Sequence, residues 1–180
     1  MNKIFSLAAH GPRLWTRELA RRVRSDLYRE LEALRPGDCL VVDMEGVETF
    51  DYSFANELFG RTLLGLPQDF PGTFVIVENL TEYTRENLEN ALSCIGLIII
   101  EKTGGTLRLL GKVHPADEET FEAIIRANSP VTASGLKEQL GVGLTAMNER
   151  LSKLLGLGLL RRERVASAAG REQYRYLFPS

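Results

Sequence analysis

The chain has 180 residues, 44% of them hydrophobic and 26% charged, with a formal net charge of −2, an ordinary globular composition that excludes wholesale disorder. No apolar run approaches the ~20 residues of a membrane-spanning helix, and the N-terminus carries no signal-type cleavage site, so a cytoplasmic protein off the membrane is expected. Cys39, Cys94, His10 and His114 lie at no metal-ligating spacing, and no nucleophile–base pair or cofactor loop is legible, so no metal, cofactor or catalytic site is expected and the chain reads as a non-enzyme, its cysteines small core residues.

Residues 2–8 predict a first strand, broken by Gly11 and Pro12. Leu19, Val23, Leu27, Leu31 and Leu34 then recur at spacings of four and three. They predict a helix capped by Thr16 and ended by Pro36-Gly37. Asp38–Met44 reads as a buried strand. Phe54, Leu58, Phe59, Leu63 and Leu64 fit a helix beginning near Ser53, with Pro67 and Pro71-Gly72 ending it. A buried strand over Thr73–Val77 precedes a helix from Thr81 to Cys94. LIIIEK and TLRLLGK flank Gly104-Gly105, the signature of a hairpin at one sheet edge. Strands alternating with helices imply an α/β domain over residues 1–111, a mixed sheet with helices against it.

Composition changes at residues 112–116, the expected linker, before an acidic helix start at Asp117-Glu118-Glu119. Residues 117–180 predict three short helices and two strands. Phe121, Ile124 and Ile125 face inward from the first helix. Thr132 caps a second that carries Leu136 and Leu140. After the turn Gly141-Val142-Gly143, a third helix places Leu144, Met147, Leu151, Leu154 and Leu155 on one face, and Gly156 or Gly158 ends it. Leu159–Val165 and Gln173–Phe178 alternate as strands around the turn 166–170. Charge is uneven as well. Residues 1–111 hold 12 Lys and Arg against 16 Asp and Glu, whereas residues 144–180 hold 7 against 3.

The run VTASGLKEQLGVGLTAMNERLSKLLGLGLLRRERV, continued through QYRYLF, resembles bacterial winged helix-turn-helix regulators. The resemblance rests on the two-helix unit around a glycine turn, the L-x-x-L-x-x-x-G-L-L-x-R ending and the glycine-containing wing. It implies a small α+β domain with duplex DNA as partner and a homodimer on paired half-sites. With the apolar face turned in, Thr145, Asn148, Glu149, Ser152 and Lys153 point out, toward a major groove ~12 Å wide. Asn148 suits adenine, and Thr145 a phosphate or a thymine methyl. Glu149 repels phosphate unless it accepts from a cytosine amino group. Arg150 flanks the helix, and Arg161, Arg162, Arg164 and Arg171 of the wing suit phosphates. The same pattern also fits a protein-docking or dimerisation module with solvated basic edges.

The segment LVVDMEGVETFDYSFANELFG resembles the STAS family of anti-sigma-factor antagonists, and more closely a STAS-like family of unknown function. The matching positions are Asp43, Gly46, Val47, Ser53, Phe54, Ala55, Glu57 and Leu58, within a resemblance spanning roughly residues 14–110. It implies a domain for sensing or protein contact in which Ser53 matches a phosphorylated serine. A helix N-terminus would favour the added phosphate. The usual Asp-Ser-Ser-Gly is here Asp51-Tyr52-Ser53-Phe54, and a plain helix-capping role for Ser53 stands beside the switch. The expected function is a DNA-binding transcriptional regulator, and the alternative is a non-enzymatic protein-interaction switch. Trp15 and Tyr28 would either stack on a partner or pack on the sheet, while Asp43 and Glu45, lacking a third ligand, read as solvated or capping groups.

Overall fold

The computed structural model describes residues 2–166, 170 and 172–179. Its chain begins with β1 (Asn2–Ser6), a 3-10 turn and the short β2 (Arg13–Leu14), followed by α1 (Arg17–Glu32). Then come β3 (Cys39–Asp43), β4 (Thr49–Phe50), α2 (Tyr52–Ala55), a π-helical turn over Asn56–Gly60 and α3 (Arg61–Asp69). β5 (Phe74–Glu78), α4 (Glu82–Ile95), β6 (Ile98–Thr103) and β7 (Thr106–Gly111) complete the first half. The main sheet has the order β1-β3-β5-β6-β7, parallel except for the last pair, which the Gly104-Gly105 turn folds back. The mixed α/β sheet expected from the alternating pattern is present.

Helix ends follow local chemistry. Thr16 Oγ1 accepts from the Leu19 amide at 3.3 Å and caps α1, whose Ala20, Val23, Leu27 and Leu31 are buried. Thr81 and Thr84 form a reciprocal capping box on α4, and Gly96 ends it in the left-handed region. Three expectations change. Pro67 lies inside α3 instead of ending it. The cap of α2 is Asp51, whose Oδ1 accepts from Phe54 N at 2.6 Å, and Ser53 sits one position into the helix. Cys94 is exposed, while Cys39 is buried and its thiol is pushed up to about 12 by desolvation.

The π turn also has a physical role. It brings Glu57 inward, where Arg24 and Arg21 meet its carboxylate at 3.1 and 3.5 Å, and it seats Gly60 where a Cβ would lie 2.8 Å from Ile95. Glu101 is a second buried acid of this half, held by the Nε atoms of Arg85 and Arg108, each at 2.8 Å.

A parallel sheet must be covered on both faces. Leu40, Val42, Val75, Val77 and Ile99 pack with α1 through α4 in one apolar cluster. Cys39, Val41, Phe74, Ile76, Ile98, Ile100 and Leu109 face the opposite way, and the C-terminal third covers them. That third consists of α5 (Pro115–Ala127), β8 (Val131–Thr132), α6 (Ala133–Leu140), α7 (Leu144–Gly156), β9 (Arg161–Ala166) and β10 (Glu172–Leu177). Its strands form a second sheet of order β8-β10-β9. Phe121, Ile124, Leu136, Met147, Leu151, Leu154, Leu159, Leu160 and Tyr176 join the sheet residues in a single cluster. The two halves therefore share a core. α5 starts at Pro115, capped by His114, two residues before the expected acidic start.

Candidate nucleic-acid interface

The Thr132 hydroxyl accepts from Gly135 N at 3.1 Å and starts α6, and Gly141, at φ 65°, ends it. The turn then releases α7 from Gly143. Met147, Leu151 and Leu154 of α7 are buried, at the expected four- and three-residue spacing. Leu144 is not: it is 47% exposed and belongs to neither apolar cluster, because it occupies the first position of the helix with no core element above it. Thr145, Asn148, Glu149, Ser152 and Lys153 are exposed, as the helical period requires.

The cations divide into two groups. Arg150 turns inward instead of flanking the helix. Its Nη1 lies 3.2 Å from Glu119 Oε2, 3.3 Å from Thr120 Oγ1 and 3.4 Å from the Ala116 carbonyl, tying α7 to α5. Lys153 is ion-paired with the buried Asp117 carboxylate, again on α5. Arg161 is half-buried. It pairs with Glu163 at 2.7 Å, and its guanidinium lies against Gly37, on the loop leading to β3. It bridges the two halves and is not laid along the outer strand surface. Arg162 and Arg164 are exposed and flank one ring, that of Tyr174, at 4.4 and 5.9 Å, and Arg164 also meets Glu172 at 3.5 Å. The β9–β10 register places Arg164 opposite Tyr174 and Arg162 opposite Tyr176. Arg171 lies outside the described residues.

Thus α7 and the β9–β10 ladder present four polar side chains, Thr145, Asn148, Glu149 and Ser152, with a stacked Arg162–Tyr174–Arg164 group on the strands. Sequence reading missed Tyr174, although alternation along β10 puts it on the same face as the two arginines. Between the C-terminal end of α7, the start of β9 and Pro36, Pro67 and Pro71 lies a cleft of about 590 Å³.

Ser53 is half-exposed in the first turn of α2. Asp43 closes a turn, accepting from Glu45 N at 2.9 Å and Asn79 Nδ2 at 2.8 Å, the capping role expected of it. Trp15 and Tyr28 do not act together: Tyr28 packs edge-on against Phe70, and Trp15 is exposed elsewhere. Among the described residues no group of His, Cys, Asp or Glu gathers to hold a metal ion, and no helix is long and apolar enough to cross a membrane.

The strand-to-helix turn at 43–58, with Asp51 capping a helix behind a parallel strand, lies within the span of the family comparison. The family model for the STAS-like domain of unknown function (DUF4325) matches residues 20–92. Over those residues the chain is similar to that family. Within them lie most of α1, then β3, the α2–α3 helix, β5 and most of α4. The match is shorter than the 14–110 span of the sequence resemblance, and the entire C-terminal third lies beyond it. No curated protein matches the sequence. Among solved structures, a possible transcriptional regulator from Methanosarcina mazei Go1 aligns at 17% identity with a TM-score of 0.35, over 38% of this chain. The chain spans 57% of that structure's length.

Proposed function

We propose that the protein is a DNA-binding transcriptional regulator without catalytic activity. In this reading, residues 117–180 act as a winged helix-turn-helix and the STAS-like domain mediates sensing or protein contact. The observation that carries it is α7: Met147, Leu151 and Leu154 are anchored in the core while Thr145, Asn148, Glu149 and Ser152 are left open to solvent. The element order α5–β8–α6–α7–β9–β10, with β10 central in its sheet, supports the same reading. In it α7 enters the major groove, Asn148 reads a base edge, and Arg162 and Arg164, with Arg171, neutralise phosphates. Arg150, Lys153 and Arg161 hold the module together instead. Two copies would meet paired half-sites.

Electrophoretic mobility shift with genomic fragments at low salt tests the reading. Expected is duplex binding that weakens steeply with salt, with Asn148→Ala losing sequence preference and Arg162→Ala weakening all sequences alike. Absence of any duplex binding at low salt would overturn it. A second reading, a protein-interaction switch, draws on the STAS-like match and the half-exposed Ser53. A phosphate there would add a charge of about −1.5 to −2 in the first turn of a helix, beside Asp51. Recovery of the same partners by wild type, Ser53→Ala and Ser53→Asp would refute the switch.

A further inference from the structure

Three aromatic side chains distant in sequence meet on the surface of the STAS-like half. Trp15, Tyr52 and Tyr83 are 47%, 50% and 57% exposed, and all three line one open cleft of about 310 Å³. Asn87 and Asn90 of α4 line it too. Among the described residues Asp51 is its single charged lining residue and no cation lines it. Glu86, three residues along α4 from Tyr83, adds a second negative charge near it.

Trp15 is not stranded at the surface by chance. The next residue, Thr16, has φ 74° and ψ 147°, a region that side chains other than glycine avoid. Its amide donates to Asp51 Oδ2 at 3.3 Å, and the β2–β4 pair fixes the flanking backbone, with Leu14 opposite Phe50. The chain thus holds a strained residue that sets Trp15 beside the start of α2. Tyr83 lies beside Asn87 and Thr49 in the same cleft, and their side chains lower the pKa of its hydroxyl. Exposed aromatics with amide neighbours are the composition of a protein-contact hot spot. Aromatic faces around a lone carboxylate attract a cation and repel phosphate.

We infer that the Trp15–Tyr52–Tyr83 cleft docks an arginine- or lysine-bearing segment of a partner protein, its cation seated among the rings beside Asp51. The inference gives chemistry to the protein-contact role proposed for the STAS-like domain and rests on that role, and it is independent of α7.

Trp15 is the sole tryptophan, so its emission reports on the cleft directly. The full-length protein is titrated at constant ionic strength with the tripeptides Gly-Arg-Gly, Gly-Lys-Gly and Gly-Glu-Gly, and with tetramethylammonium. Expected is a saturable change in Trp15 emission with the basic peptides and none with Gly-Glu-Gly. Tyr83→Ala and Tyr52→Ala should each weaken it by roughly fivefold. Equal responses to acidic and basic peptides, no saturable response, or a basic-peptide response unaltered in both variants would overturn the inference. So would a response to tetramethylammonium alone, which would indicate a small-molecule cation site. Anisotropy of labelled duplex DNA in the same samples reports separately on α7, so failure of either reading is read on its own signal.

Discussion

The division of cations on the C-terminal third makes a quantitative prediction. Arg162 and Arg164 are exposed beside the Tyr174 ring, Arg164 paired with the exposed Glu172, and both can turn to phosphates, whereas Lys153 and Arg150 are bound to α5. Each phosphate contact contributes about 0.9 to the slope of log affinity against log salt, so Arg162→Ala/Arg164→Ala should reduce that slope by about 1.8. Over a rise from roughly 50 to 200 mM salt, wild type should lose about tenfold more affinity than the variant loses. Lys153→Ala should behave differently. The Asp117 side chain is only 6% exposed, and stranding its charge costs about 1–3 kcal/mol. In a chain of this size each kcal/mol lowers Tm by about 2–4 °C. Its salt slope should stay near that of wild type, because that ammonium is already neutralised within the fold. Fluorescence anisotropy across a salt series, with thermal melts of the same samples, measures both effects. Parallel salt lines for wild type and the double arginine variant, or a lowered slope for Lys153→Ala at unchanged Tm, would refute the assignment.

Three further outcomes follow from particular contacts. Burial raises the Glu101 pKa, but the hydrogen bonds and charges of Arg85 and Arg108 outweigh it and hold the carboxyl below its usual range. Its contribution is therefore present above the unfolded pKa near ~4.3 and is lost as pH falls through the folded value, so urea midpoints should drop on acidification less steeply in Glu101→Gln than in wild type. Thr16→Ala should lose about 1 kcal/mol of capping and keep the strain. Thr16→Gly should lose only a few tenths of capping and shed about 1–3 kcal/mol of strain, against ~0.4–1 for the freer unfolded chain. The glycine variant should thus be the more stable by about 1 kcal/mol or more in urea denaturation, and equal midpoints would mean that Thr16 is unstrained. Gly111→Ala should cost at least about 2 kcal/mol, since φ is 129° and a Cβ would lie 2.5 Å from the Leu97 carbonyl oxygen, whereas Gly96→Ala, in open space, should cost distinctly less.

The elements most legible in the sequence are those whose signal is local. Val23, Leu27 and Leu31 announce α1 by their spacing, Gly104-Gly105 announces the hairpin, and Thr81 announces α4 by its hydroxyl. The sequence does not separate Asp51 from Ser53, because both can cap and only the backbone path decides which oxygen reaches Phe54 N. Leu144 departs from its periodicity because periodicity assigns a face but cannot say where the core beneath that face ends. The roles of Arg150, Lys153 and Arg161 depend on Glu119, Asp117 and Gly37, partners 31, 36 and 124 residues away, and no window along the chain contains them. The aromatic cleft was invisible for the same reason: Trp15, Tyr52 and Tyr83 converge only through the β2–β4 pairing and the packing of α2 on α4.

The expected break at residues 112–116 marks a change of composition but not the edge of a core. Cys39, Val41, Phe74, Ile76, Ile98, Ile100 and Leu109 are all buried, and their neighbours beyond the sheet come from α5, α6, α7 and the strands that follow. Burial of a large apolar side chain contributes about 1.5–3 kcal/mol, so exposing these seven residues would cost on the order of 10–20 kcal/mol. That matches or exceeds the whole stability of a typical domain, about 5–15 kcal/mol. Residues 1–111 expressed alone should therefore aggregate or bind 8-anilinonaphthalene-1-sulfonate strongly, and adding residues 112–180 in trans should suppress both. A fragment 1–111 that is monomeric, unfolds cooperatively and leaves the dye dark would show that the sheet can close its second face without the C-terminal third. If the fragment fails as expected, residues 112–180 serve as the second layer of the sheet, and a change at one half can reach α7 through Met147 and Leu151, which sit in the core that also holds Phe74 and Ile98.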